Sequence, residues 1–316
     1  MNSMKESETM NGELIPIIEN NLLERKEEFI SYLDVSNETL NTYCEGLKCF
    51  FGYLADKGIT NPTRLDFKNF RDEIKIKLSV NTTNSYLTAV RRFFKYLETN
   101  GQYSNITQDV KSVKTSKIPK KQVLTTEKAR EIYASLTDAR QRCLFSLFVS
   151  TGMRAIEVSR SLIEDIKLHN GEYVLFFQGK MRDDKSEYVK LSPEVLRDIK
   201  NYIGDRTNGY IFVSESNRNK GGGVTTKTLR LEIKNIFRRF NLDYDTFSCH
   251  SLRRTFATIA YSNGADIYQI KEVLRHHSVS TTSRYISQTI RDNNKTELNV
   301  SDLIFKNEEI YEWICC

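Results

Sequence analysis

Two stretches of the chain repeat one aromatic pattern at helical spacing. "YCEGLKCFFGYL" begins at Tyr43, and "YLTAVRRFFKYL" begins at Tyr86. In both, an aliphatic residue follows the tyrosine four positions on, and a Phe-Phe pair and a Tyr-Leu pair come after it. Apolar residues three and four positions apart share one face of an α-helix, so both stretches predict helices with a broad apolar face. Aromatic stripes of this kind indicate core packing, and they favour a compact helical bundle.

The bundle extends beyond these two helices. "NNLLERKEEFISYL", from Asn20, and "TRLDFKNFRDEIKIKL", from Thr63, carry the same periodicity. Asn100-Gly101 is a helix stop signal. The sequence therefore predicts a flexible N-terminus over residues 1–14, followed by a domain of about four helices over residues 15–105.

A basic linker is predicted over residues 106–122. It contains five lysines and one proline, and no acid apart from Asp109 lies among them to balance the charge. Two interpretations stay open, a solvated connector or a segment that lies along a phosphate backbone. The net charge of +6 favours a polyanionic partner only weakly. The lysines are Lys111, Lys114, Lys117, Lys120 and Lys121.

The second predicted domain, residues 123–300, is mostly helical with one small antiparallel sheet. "IEDIKL" and "EYVLFF" flank His169-Asn170-Gly171, and Asn-Gly is a strong hairpin signal. "SEYVKL" supplies a third strand, and "GYIFVS" at 209–214 predicts another extended piece. The apolar residues of 301–316 predict a C-terminal tail helix, either docked on its own domain or exchanged between protomers.

Composition narrows the class of protein. The six cysteines form no C-x-x-C pair, and no second Cys/His cluster completes a zinc site. The N-terminus lacks an apolar signal core, and stretches such as Cys143–Val149 are too short to span a bilayer. These features predict a cytoplasmic protein with reduced thiols and without a bound metal, a cofactor or a membrane segment.

Histidine is concentrated in one region. The chain has four histidines, and three of them fall between residues 250 and 277, shortly before Tyr285. "CHSLRRTFA" carries His250 and Arg253, and "LRHHSVSTTSRY" carries His276 nine residues before Tyr285.

Two further stretches carry candidate residues. "STGMRAIEV" places Arg154 after a glycine turn, with Glu157 one helical turn on, and "QGKMRDDK" places Lys180 at the mouth of the hairpin. Taken singly, these residues indicate no more than surface ion pairs and surface charges. Cleavage of a phosphodiester without metal requires cations for the phosphate oxygens, a nucleophile and an acid for the leaving oxygen, and the set contains all three.

The order and spacing of these residues resemble the tyrosine recombinase (phage integrase) family over roughly residues 15–300. The chain matches the family pattern in order. That pattern is an arginine in T-G-x-R-x-x-E, a lysine in a hairpin, H-x-L-R, and L-G-H nine residues before a tyrosine. Three positions depart from it or stay open: Arg275 replaces the glycine of L-G-H, Arg254 ends H-x-L-R-R, and Lys185 is a second candidate for the lysine. The matching residues are Arg154, Lys180, His250, Arg253, His276 and Tyr285, with Glu157 in the acidic place.

The resemblance implies the role of each residue. Tyr285 would attack phosphorus and form a 3′-phosphotyrosyl link, and Lys180 would protonate the leaving 5′ oxygen. His250 would take the tyrosine proton, and Arg154, Arg253 and His276 would surround the phosphate. His277 falls outside the pattern and is expected to be an exposed neighbour.

The implied fold is a helical core-binding domain followed by an α+β catalytic domain. The implied function is that of a site-specific recombinase of the Xer or Cre kind, or the integrase of a small mobile element. It would act as a homotetramer on duplex DNA with inverted-repeat core sites, and the reaction would pass through a Holliday junction. Accessory factors encoded by the host or by the element could take part. Two alternatives stay open, a type IB topoisomerase and a DNA-binding regulator without catalysis.

Overall fold

The computed structural model describes residues 9–10, 13–14, 21–114, 122–179, 184–243, 245–293 and 300. It divides into two compact units, residues 1–116 and 117–316. Ahead of the first helix, strands β1 (Thr9–Met10) and β2 (Glu13–Leu14) form a short antiparallel ladder.

The first unit is a bundle of helices with an aromatic core. The two repeated stretches form the second and fourth helices, and their phenylalanines meet: Phe51 lies 5.8 Å from Phe93, and Phe50 lies 5.9 Å from Phe94, between ring centres. At Gly46 the two helices approach so closely that a Cβ would lie 3.0 Å from a backbone atom of the partner helix. The helices are α1 (Asn21–Tyr32), α2 (Asn37–Asp56), α3 (Arg64–Lys77) and α4 (Val80–Thr99).

The first part of the basic linker is hydrogen-bonded to this bundle. Residues 110–114, here called the strap, are held against α3 and α4 by contacts of residues 110–113. The side-chain amide of Asn84 donates to the Val113 carbonyl and accepts from its N–H, at 2.9 Å each. The Arg91 guanidinium donates to the Val110 carbonyl at 2.8 Å, and that of Arg71 donates to the Lys111 carbonyl at 3.1 Å. Lys111 and Lys114 are exposed on this segment.

The second unit holds the remaining helices around its own apolar core. Its main helix contacts are between α6 and α8, between α10 and α12, and between α6 and α10. A smaller cluster of Ala257, Ile270, Leu274 and Ile286 joins the last three helices. The helices are α5 (Thr126–Ser135), α6 (Ala139–Thr151), α7 (Ala155–Arg160), α8 (Pro193–Ile203), α9 (Thr226–Arg239), α10 (Cys249–Ser262), α11 (Ile267–Leu274) and α12 (Val279–Asn293).

A three-stranded antiparallel sheet of order β3-β4-β5 completes the second unit. Its strands are β3 (Ile166–His169), β4 (Glu172–Phe177) and β5 (Glu187–Lys190), and a 3₁₀ turn, Ile163–Asp165, precedes them. The hairpin turn has positive φ at both Asn170 (52°) and Gly171 (81°), which the Asn-Gly pair favours. The fold class expected from the sequence, mainly helical with a small antiparallel sheet, is confirmed.

Residues 209–214, predicted to be extended, pair with other segments only at isolated points. Residues 209–214 form no strand of the sheet; Tyr210 and Val213 make single bridges, to Leu162 and Gly223. An apolar run alone does not supply a neighbouring strand with which to build a ladder. No helix within the described part of the chain is long and apolar enough to cross a bilayer.

Candidate active site

A glycine turn places Arg154. Helix α6 ends at Gly152, whose φ of 62° is left-handed, and a Cβ there would lie 2.7 Å from a methyl group of Leu274. The next helix, α7, begins directly after Arg154. The fully buried Glu157 carboxylate accepts from the Arg154 backbone N–H at 2.8 Å and from its guanidinium at 2.7 Å. The predicted support of Arg154 by Glu157 is therefore a two-point contact.

Arg253 lies near the start of α10 and is almost fully buried. Its Nη1 donates to the Gly152 carbonyl at 2.6 Å, and its Nη2 donates to the Leu274 carbonyl. The pKa of Arg253 is lowered to about 10, first by burial and then by the neighbouring charge of Arg154. The side chain is still a cation at neutral pH, and backbone carbonyls hold it in one orientation.

His276 is buried at the turn between α11 and α12. Its Nδ1 lies 2.9 Å from the Oγ1 of Thr282, and its backbone N–H caps α11 by donating to the Lys271 carbonyl at 3.0 Å. Burial, followed by the positive charges of Arg253 and Arg154, lowers its pKa to about 3. The imidazole is therefore neutral at physiological pH.

Tyr285, half-buried on α12, lies between the two predicted histidines. Its ring centre is 4.8 Å from that of His276 and 5.1 Å from that of His250, with the rings nearly perpendicular in both pairs. His250 is exposed at the start of α10. Arg254, four residues after His250, donates to the Tyr285 carbonyl at 3.2 Å and so connects α10 to α12.

The structure thus brings five predicted side chains, Arg154, His250, Arg253, His276 and Tyr285, together with Glu157, from four segments of the second unit. Two fixed cations can meet the oxygens of a phosphodiester, because a guanidinium keeps its charge and presents paired donors. A neutral imidazole can add a hydrogen bond, and the phenol can supply a nucleophile beside a second imidazole that can take its proton. The combination suits transfer of a phosphoryl group to tyrosine.

The predicted lysines are only partly within the described residues. Lys180 lies outside them, as do Lys117, Lys120 and Lys121. Lys185 is described, and its ammonium group lies 2.6 Å from the Asp165 carboxylate. The second candidate for the general acid is therefore held by an ion pair at the base of the sheet.

Sequence reasoning missed two contributions to this site. Thr282 was not singled out, although it lies three residues before Tyr285 and hence on the same helical face. Arg275 was noted only as a departure from the pattern. In the structure, its guanidinium binds the Glu157 carboxylate at 2.9 Å and lies 4.7 Å from the Phe177 ring centre.

The site was also expected to hold no metal. Within the described ranges, no group of three or more His, Cys, Asp or Glu side chains is placed to hold a metal ion. The expected absence of a cofactor stays a prediction.

Comparison with known proteins matches both parts of the chain to known families. Residues 122–310 match the phage integrase family, and residues 27–101 match the phage integrase N-terminal SAM-like domain. The tyrosine recombinase XerA of Pyrococcus horikoshii is 27% identical over 274 residues, which cover 84% of this chain and 89% of the relative.

Solved structures share the fold. The XerH site-specific recombinase, in a post-cleavage complex with its palindromic difH substrate, aligns with a TM-score of 0.68 at 23% identity, over 90% of this chain and 85% of that chain. A lambda integrase tetramer bound to a Holliday junction aligns with a TM-score of 0.66 at 17% identity, over 84% of this chain and 76% of that chain. The family match covers more than half of the sequence, so this chain belongs to the phage integrase family and is a site-specific tyrosine recombinase.

Proposed function

We propose that the protein cuts and rejoins duplex DNA through a 3′-phosphotyrosyl intermediate, with Tyr285 as the nucleophile. The phenol oxygen attacks phosphorus, the bond to the 5′ oxygen breaks, and that oxygen leaves with a proton. The return of a 5′ hydroxyl reverses the step on the same or another strand. The observation that carries the proposal is the position of the Tyr285 ring between His250 and His276, beside two arginines that backbone and carboxylate contacts hold in place.

In this proposal, Arg154 and Arg253 meet the non-bridging oxygens of the scissile phosphate. Donors that are fixed before the substrate arrives need no reorganisation as negative charge develops. Arg253 is fixed by two carbonyls, and Arg154 is fixed by Glu157 and by the Arg275 carbonyl at 3.2 Å. Both cations are therefore preorganised for an anion.

The two histidines take different roles. His276 stays neutral, because its pKa is far below physiological pH, and acts as a hydrogen-bond donor to the phosphate. Exposed His250 lies against the phenol ring and takes the proton of Tyr285. Lys180 is the proposed acid for the leaving oxygen, with Lys185 as the alternative.

The strap supports a role of the linker in DNA binding. Lys111 and Lys114 are exposed there, and bonds from Arg71, Asn84 and Arg91 fix the backbone between or beside them. Cations on an ordered segment pay less entropy on binding phosphates than cations on a free chain. We therefore assign these lysines, with Lys117, Lys120 and Lys121, to the phosphate backbone.

Two solved structures of similar proteins support a proposal for the partners of this chain. The lambda integrase structure is a tetramer on a Holliday junction, and the XerH structure holds a palindromic DNA substrate. We assign to this protein a homotetramer on inverted-repeat core sites, acting in the cytoplasm with no membrane partner. The tail at 301–316, which lies outside the described residues, is proposed to pass to a neighbouring protomer.

A suicide duplex with a nick beside the crossover tests the proposal. Once the short strand diffuses away, the covalent intermediate cannot be resealed and accumulates. The wild-type protein is expected to form a protein–DNA adduct that maps to Tyr285, and Tyr285→Phe is expected to form none. Half-site binding should stay nearly unchanged, because one hydroxyl adds little to an interface dominated by phosphate contacts. An adduct on a different tyrosine would overturn the assignment.

A further inference from the structure

Arg275 occupies a backbone position that suits glycine. It follows the last residue of α11 with φ 52° and ψ 47°, in the left-handed region. A side chain at such a position has a steric cost that glycine does not have. An arginine there is expected to make contacts that offset this cost.

The Arg275 side chain makes such contacts inside the protein. Its Nη2 lies 2.9 Å from the Oε2 of Glu157, and its guanidinium lies 4.7 Å from the centre of the Phe177 ring. Only 10% of the side chain is exposed, and Glu157 is fully buried. The guanidinium is therefore turned towards the protein rather than towards solvent.

Glu157 links this arginine to Arg154. One carboxylate oxygen, Oε1, accepts from the Arg154 guanidinium, and the other, Oε2, accepts from the Arg154 N–H and from Arg275. The Arg275 carbonyl also accepts from the Arg154 guanidinium at 3.2 Å. Residue 275 therefore contacts Arg154 directly through its backbone and indirectly through its side chain.

We propose that Arg275 is a positioning residue, whose guanidinium holds the Glu157 carboxylate and thereby fixes Arg154 for the scissile phosphate. The proposal rests on the proposed function, in which Arg154 meets that phosphate. A carboxylate shared by two guanidinium groups is locked in one orientation, and it neutralises less of the charge of Arg154. A glycine at residue 275 would leave Oε2 with the backbone N–H alone.

The test compares the effects of side-chain charge, side-chain length and backbone strain at residue 275. Arg275→Met keeps an apolar stem over Phe177 and removes the charge, Arg275→Lys keeps a charge, and Arg275→Gly removes the side chain and relieves the backbone. The matched control is Lys128→Met, because Lys128 also pairs with a glutamate and lies over a phenylalanine ring, 5.3 Å from the centre of Phe240. Thermal unfolding identifies any variant that fails to fold.

Two substrates separate an electrostatic role from a purely structural one. Single-turnover adduct formation is measured on a nicked duplex with an ordinary scissile phosphate, and on one with a neutral methylphosphonate at that position. Half-site affinity is measured in parallel. On the ordinary phosphate, Arg275→Met and Arg275→Gly are expected to slow adduct formation by about 10-fold to 100-fold, the scale of a misplaced catalytic group. Arg275→Lys should recover most of the rate, and the control should match the wild type.

The methylphosphonate result decides the mechanism. A methylphosphonate carries less negative charge for Arg154 to neutralise. The slower adduct formation of Arg275→Met and Arg275→Gly should therefore nearly disappear on that substrate. An equal loss on both substrates would show a structural role, and a matching loss of half-site affinity would show direct DNA contact; either would overturn the proposal. So would wild-type rates in both variants while the wild type itself forms its adduct. Absence of an adduct from the wild type would instead remove the proposed function on which the inference rests.

Discussion

The Nδ1 of His276 and the Oγ1 of Thr282 lie 2.9 Å apart, and both side chains are buried. This hydrogen bond orients the imidazole and engages one ring nitrogen, so that Nε2 is the nitrogen available to the phosphate. Thr282 and Tyr285 lie three residues apart on α12. One helix therefore carries both the proposed nucleophile and the partner that orients His276.

We predict that acidification destabilises the second unit through His276. Its pKa is about 3 in the folded protein and 6.5 ordinarily, so the unfolded chain binds a proton at a pH where the folded protein does not. The stabilising contribution is complete above pH 6.5 and is lost progressively as the pH falls towards 3. At pH 4.5 this single group costs on the order of 2–3 kcal/mol.

The measurement is the melting temperature between pH 7.5 and 4.5, for the wild type and for His276→Gln. The variant lacks the titrating group, so its melting temperature should change less over this range. Parallel curves for the two proteins would contradict the prediction. His277, which is exposed next in the chain, supplies the control variant His277→Gln, whose curve should follow the wild type.

Substitution should distinguish the two arginines that we propose to be catalytic from arginines with a purely structural role. Arg154→Ala and Arg253→Ala are each expected to slow adduct formation by about 10²–10³-fold, since each removes a donor that stabilises transition-state charge. Arg206 is a matched control, because it too donates to backbone carbonyls, those of Ile203, Tyr210 and Ile211, but outside the site. Arg206→Ala should therefore retain the cleavage rate. Cleavage by either site variant within a few-fold of the wild type would contradict the assignment.

How much the sequence predicted differs between parts of the molecule. The bundle was predictable because α2 and α4 repeat one apolar pattern, and local periodicity is sufficient to define a helix. The hairpin was predictable because Asn170-Gly171 favours one turn type. The pairing of residues 209–214 was not predictable, because it depends on distant parts of the chain.

In the site, motif order was sufficient to single out Arg154, His250, Arg253, His276 and Tyr285, which the structure brings together. The contacts of Arg275 could not be predicted, since they depend on α11 ending beside the Arg154 turn. The same limit applies to Thr282, whose partner is known only once the turn that carries His276 is folded.

The general acid can be identified by changing the leaving group. A 5′-bridging phosphorothiolate releases a thiolate. Because a thiol has a much lower pKa than an alcohol, the thiolate can leave without a proton. This substrate is expected to restore cleavage by Lys180→Ala and to leave the activity of Lys185→Ala as it is on ordinary DNA. The ion pair between Lys185 and Asp165 supports this order. Restoration of Lys185→Ala alone would transfer the role to Lys185.

Gly152 should tolerate no side chain. Its left-handed φ of 62° costs roughly 1–2 kcal/mol for alanine, and the added Cβ would lie 2.7 Å from Leu274 and 3.0 Å from Phe256. Gly152→Ala is expected to lower the free energy of unfolding by about 2–4 kcal/mol, through strain and overpacking together. It should also slow cleavage, because the Gly152 carbonyl holds Arg253.

Gly264→Ala is the control, with positive φ but no atom within 4 Å of the added Cβ, and should cost only the backbone strain. Chemical denaturation curves of both variants decide the matter. Equal losses in the two variants would remove the packing argument.

The burial of Arg253 has a thermodynamic consequence. It donates to two carbonyl oxygens, and within the described residues it forms no ion pair, so a nearly inaccessible charge lacks a direct counter-ion. A phosphate group of the substrate would be that counter-ion, and an unfolded chain cannot offer the same preformed pocket. Folding and substrate binding are therefore linked equilibria, in which the free enzyme carries an electrostatic penalty that an anion removes. If Arg253 meets the scissile phosphate as proposed, DNA binding raises the free energy of unfolding of the protein.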